Sequence, residues 1–140
     1  MMQFMYRHGL AFVDEAHLKA FEKVTPGRLR DDIEWVPAVY VLTMSEQMRR
    51  KAAIWIIPDH REIEWQQIID TDFGSGHRAA IHWAFSLWGA HSWGGWEEDD
   101  GRIIPLIDIA SRAFSMDEVS RFIVLMAVGY RWEVQGYISR

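Results

Sequence analysis

The chain has no cysteine, which removes disulfide frameworks, thiolate zinc sites and cysteine nucleophiles at once and leaves nothing that demands an oxidising compartment. It has no long apolar run: residues 122–128 form the most continuous one, far short of the ~20 residues a membrane span needs. Residues 1–12 are interrupted by Gln3, Arg7, His8 and Gly9 and lack the order of a secretory signal. An excess of basic side chains is also missing, with fifteen Lys and Arg against twenty Asp and Glu and a net charge of −5, which disfavours nonspecific binding to phosphate backbones. These absences predict a soluble, cytoplasmic protein with no membrane and no nucleic acid as its main partner.

Catalytic signatures are absent too. There is no G-x-S-x-G elbow, Walker loop, H-E-x-x-H or dinucleotide fingerprint, and so no motif that assigns a cofactor. His77 and His82 are five residues apart, about 140° around a helix, and cannot stack as i, i+4 metal ligands do. Asp70-x-Asp72 begins like a calcium loop, but Ser75 stands where the turn glycine belongs and Ile81 where the bidentate glutamate belongs. No metal and no cofactor are expected.

What remains is apolar and aromatic. Hydrophobic residues make up 49% of 140 residues and charged ones 25%, enough to bury the core of a single domain spanning 1–140. Eight tryptophans are present, four of them (Trp83, Trp88, Trp93, Trp96) within fourteen positions of one another.

The pattern is mainly α. Asp14 reads as an N-cap, with Val13 and Leu18 as a hydrophobic staple, for a helix running to about Val24. Asp31 and Asp32 start a second helix, kinked at Pro37 or beginning near Val36; Ser45 caps a third, stopped by Pro58. Residues 54–69 read as a short hairpin or an extended arm. Gly74-Ser75-Gly76 opens a helix with Ile81, Ala84, Phe85 and Trp88 on one face, and Gly89 ends it. Residues 91–101 follow as the longest loop. A short helix from Pro105 through Ala113 leads to a capping box of Ser115 and Glu118, with Phe114 and Val119 as its staple. The run 122–128 is apolar on every side, which predicts a central helix. The expected fold is a compact bundle of about five to six helices around that C-terminal helix, with one small β-hairpin near 54–66.

Two places invite a functional reading. Trp55, Trp83 and Trp88 sit at helical spacing and belong to packing. Trp93 and Trp96 instead flank two glycines in the long loop, followed by Glu97, Glu98, Asp99 and Asp100; either both rings fold back to lid the core or, as indoles beside an acidic run, they suit a protein partner with a basic surface, such as a nucleic-acid-binding one. The second place is Ser75, Gly76, His77 and Arg78, where open N–H groups, a helix dipole and cationic side chains suit an anion.

The segments Phe12-Val13-Asp14-Glu15-Ala16-His17, Tyr40-Val41-Leu42 and Ala84-Phe85-Ser86-Leu87-Trp88-Gly89, with Ser75 before the last and a capped helix ending near Arg131, resemble a family of small uncharacterised helical proteins of Gram-positive bacteria and their phages. The resemblance covers most of the chain from Phe12 to Trp132, and the tryptophan-rich loop departs from it. It implies a helical fold and a mobile-element origin, and supplies no catalytic residues. The resulting expectation is a non-catalytic macromolecule-binding protein, such as a phage inhibitor or modulator of a host defence nuclease. A small enzyme or anion-binding domain using the helix N-terminus at 74–82 and a homo-oligomeric structural protein are the alternatives.

Overall fold

In the computed structural model, which describes residues 4–88 and 115–132 and the backbone of 96–97 and 103–104, helices begin where a short polar side chain meets open backbone N–H groups. Asp14 Oδ1 accepts from the N–H of His17 at 2.8 Å, and α1 (Glu15–Val24) follows. Asp32 Oδ1 accepts from the N–H groups of Glu34 and Trp35 at 3.0 and 2.9 Å, opening α2 (Trp35–Leu42). Pro37 therefore falls in the first turn, where its missing donor costs nothing, and marks a helix start instead of a kink. Ser45 Oγ accepts from the N–H of Met48 and caps α3 (Glu46–Lys51).

The N-terminal residues hold an element that helical periodicity does not reveal. β1 (Met5–Arg7) and β2 (Leu10–Phe12) pair antiparallel through a two-residue turn. His8 and Gly9 take φ values of 56° and 76°, the left-handed pair that a tight hairpin of this length requires. Further along, β3 (Ile56–Ile57) and β4 (Glu62–Ile63) form the expected hairpin near 54–66, with Ile56 opposite Ile63. The extended-arm alternative ends there: α4 (Trp65–Asp70) buries Trp65 and Ile68, one turn apart.

α5 (Ser75–Trp88) and α6 (Glu118–Arg131) complete the bundle. The start of α6 departs from the predicted capping box. Asp117, not Ser115, caps it, its Oδ1 accepting from the N–H of Ser120 at 2.7 Å. An ionised carboxylate gains more from the positive end of a helix than a hydroxyl does, and Ser115 Oγ is turned instead to the carbonyl of Ser75.

Every residue of α2 is buried, and α2 packs against both α5 and α6, which also pack on each other. The centre thus belongs to α2 and not to the C-terminal helix. The reason lies in composition: α2 carries no charged side chain, whereas α6 carries Glu118, Arg121 and Arg131 and buries only Ile123, Val124 and Ala127. Leu125 and Trp132, seven apart on one stripe of the α6 end, stand 69% and 67% exposed. Among the described residues no helix is long and apolar enough to cross a membrane. The expected helix from Pro105 and the stop at Gly89 lie outside the described residues.

Candidate functional site

The tryptophan and acid segment contains a strand pair. β5 (Trp96–Glu97) and β6 (Ile103–Ile104) run antiparallel, Trp96 opposite Ile104 and Glu97 opposite Ile103. The expectation of a loop without regular structure over 91–101 is corrected at these two residues; strands of two residues are too short to leave a readable alternation. Trp93, Glu98, Asp99 and Asp100 lie outside the described residues, the acids within the 98–102 connection between the strands.

The helical indoles pack, as their spacing predicts. Trp35 is fully buried and its Nε1–H donates to the carbonyl of Val24 at 3.0 Å. Trp88 meets Trp35 at 5.9 Å and Trp65 at 6.1 Å between ring centroids, and Phe85 closes edge-on against Trp65 at 5.2 Å. Trp55 and Trp83 lean half-buried on the same core. Among the described residues the buried indole N–H groups of Trp65 and Trp83 have no hydrogen-bond partner. Over Trp88 lies the guanidinium of Arg61, 5.0 Å from the ring. Its Nε and one terminal nitrogen donate to the Asp32 carboxylate at 2.6 and 3.1 Å, and that terminal nitrogen also donates to Glu34 at 3.0 Å. Arg61 donates these bonds to Asp32, whose carboxyl group has its pKa held below the ordinary value, although partial burial opposes the shift.

The four residues of the predicted anion site are drawn to different neighbours. Gly76 lies against the chain at Ser115, where a Cβ would come within 2.9 Å of the carbonyl oxygen. Ser75 offers its carbonyl to Ser115 Oγ. Arg78 reaches the carbonyl of Ile69, and with Ile68, Phe73, Ile81 and His82 it lines a recess with about 10 Å³ of room, the scale of one water molecule.

His77 turns the other way. Its Nε2 lies 3.0 Å from Ser45 Oγ. Oγ also accepts from the N–H of Met48, and its own hydrogen is directed at Nε2 in the tautomer that carries the imidazole proton on Nδ1. Partial burial pushes the imidazole below its ordinary pKa, opposed by the nearby Asp117 carboxylate and assisted by the Lys51 charge. Asp117 in turn is held below the usual carboxylate range, first by the N–H of Ser120. Ser45 caps α3, His77 sits in the first turn of α5 and Asp117 caps α6, so three helix starts bring a hydroxyl, an imidazole and a carboxylate to one place. Sequence reading found Ser45 as a cap and His77 as an anion ligand, but had no signal for their contact across 32 residues. Among the described residues, no group of three or more histidines and acids is arranged to hold a metal.

No protein-family model, characterised protein or solved structure matches the chain.

Proposed function

We propose that this chain is a macromolecule-binding protein whose contact arm is the segment 93–104, with Trp93 and Trp96 as anchors and Glu97, Glu98, Asp99 and Asp100 facing a basic surface on a protein partner. The observation that carries this reading is the pairing of Trp96 and Glu97 with Ile104 and Ile103. The strand pair joins the chain on either side of residues 98–102; on this reading the Trp96 indole and the acids of that connection act together as one short arm. Such an arm supplies both ingredients of a hot spot, a large amphipathic ring and charges that steer a basic partner. The resemblance to proteins of Gram-positive bacteria and their phages supports the more specific form, a modulator of a host defence nuclease, whose nucleic-acid groove is a basic surface of the required kind.

The test is capture of the partner by the folded chain. Replacing Trp93 and Trp96 together with alanine, or Asp99 and Asp100 together with lysine, abolishes capture on this reading while the helical circular dichroism is unchanged. Undiminished capture by both variants rejects the segment as the contact arm. A second reading, self-association, is favoured by Leu125 and Trp132, which leave an apolar stripe of α6 uncovered. It predicts a dimer in sedimentation at micromolar concentration that Leu125→Asp dissociates.

A further inference from the structure

The Ser45 and His77 pair does something a helix cap does not require. A capping serine needs only to accept from the backbone, which Ser45 does at Met48; a hydroxyl that also lies within hydrogen-bond reach of an imidazole nitrogen, 3.0 Å away, is placed as a nucleophile beside its base. We propose that Ser45 and His77 form an acyl-transfer site acting on small carboxylic esters, with Ser45 as nucleophile, His77 as general base and acid, and Asp117 as the positioning residue. This inference is independent of the hairpin and does not rest on the binding reading.

Three observations support it. The two side chains are only partly buried, so a small ester can reach them. Burial keeps His77 unprotonated more readily than a free imidazole, the state a base must be in before it accepts a proton. The Asp117 carboxylate favours the imidazolium that forms during the step through its charge, the electrostatic part of what the acid of a hydrolytic triad supplies.

The chemistry balances without any further reactant than water. Ser45 Oγ bonds to the ester carbonyl carbon as its proton passes to His77 Nε2. The bond from that carbon to the alcohol oxygen breaks, and the departing alcohol takes the proton from Nε2. A water molecule then gives its proton to the same nitrogen and attacks the acyl carbon. Ser45 Oγ leaves with that proton, and the carboxylic acid is released.

The experiment uses the full chain, a fluorophosphonate probe with adduct mapping by mass spectrometry, and p-nitrophenyl acetate hydrolysis. The expected result is a covalent adduct on Ser45, with labelling and hydrolysis both falling about a hundredfold in His77→Ala and His77→Gln. Both variants keep the capping serine, and their circular dichroism establishes that they fold. Asp117→Asn keeps a good N-cap while removing one of the two charges, with Lys51, that act on His77. Its rate should fall off at lower pH than that of the wild type, because the carboxylate no longer raises the His77 pKa; a purely structural role would leave the midpoint in place. Absence of an adduct on Ser45, or an adduct that forms undiminished in both His77 variants, overturns the proposal.

Discussion

His17 donates from Nε2 to the carbonyl of Tyr40 at 2.8 Å and accepts at Nδ1 from the N–H of Val13 at 3.1 Å. The second bond settles the tautomer, since a backbone N–H can only donate. A neutral imidazole with no exposure thus fastens the junction of β2 and α1 to the central helix, edge-on to Phe12 at 4.9 Å. The Tyr40 hydroxyl donates in turn to the carbonyl of Ala11, so two polar side chains tie the N-terminal hairpin to α2 without leaving either polar tip unpaired.

This arrangement makes the fold acid-labile at a mild pH. Burial pushes His17 down from 6.5 to about 4, so between these values the unfolded chain binds a proton that the folded one refuses. Stability is therefore fully present above the unfolded value of 6.5 and is lost as pH falls toward 4, by on the order of 3 kcal/mol. The lowered His77 acts with the same sign. Urea midpoints measured at pH 7.5, 5.5 and 4.5 should fall steadily, and His17→Gln, though less stable, should show a much flatter profile. Equal wild-type midpoints at pH 7.5 and 4.5 would refute this account.

A second prediction concerns Arg61, which holds a left-handed φ of 51° while clamping Asp32 and Glu34 over Trp88. The clamp is partly exposed and contributes at most about 1 kcal/mol, less in salt. A left-handed backbone costs a non-glycine residue about 1 kcal/mol. Arg61→Ala loses the clamp and keeps the backbone cost, whereas Arg61→Gly loses the clamp and is relieved of that cost. Chemical denaturation should find Arg61→Gly about 1 kcal/mol more stable than Arg61→Ala, and the deficit of Arg61→Ala should shrink in 0.5 M salt. Equal stability of the two variants would show that the φ of 51° carries no penalty.

How much of this was legible in the chain follows the range of each interaction. Asp14 and Ser45 announce their helices because a cap bonds only three residues ahead. At α6 two candidates lie within that same reach, and the Ser115 hydroxyl is drawn away by the carbonyl of Ser75, 40 residues earlier. The turn at His8-Gly9 escaped because its strands are three residues long and histidine is a less common left-handed residue than asparagine. The centrality of α2 was hidden by Pro37, which interrupts its apolar residues, whereas the seven of 122–128 in α6 are unbroken. Most remote from sequence is the Ser45 and His77 contact: each residue has a sufficient local reason to be where it is, and only the crossing of α3, α5 and α6 puts them 3.0 Å apart.

The same crossing makes opposite predictions for two neighbouring glycines. Glycine to alanine in a helix start ordinarily stabilises, by about 0.4–1 kcal/mol, through the unfolded chain. Gly74 has nothing within 4 Å of the position a Cβ would take, so Gly74→Ala should be neutral or gain within that range. At Gly76 the added carbon would come within 2.9 Å of the Ser115 carbonyl oxygen, a backbone atom that cannot swing aside. The chain at Ser115 and Met116 must then move off α5, and Met116 is itself buried in the core; overpacking of this kind costs about 1–3 kcal/mol. Thermal or urea denaturation of the two variants should place them on opposite sides of the wild type, or at least 1 kcal/mol apart. Because the shift would also separate the starts of α5 and α6, Gly76→Ala should disturb the His77 and Asp117 resonances more than those of His17. A Gly76→Ala protein as stable as Gly74→Ala would mean that the two helix starts are not in the close contact described here.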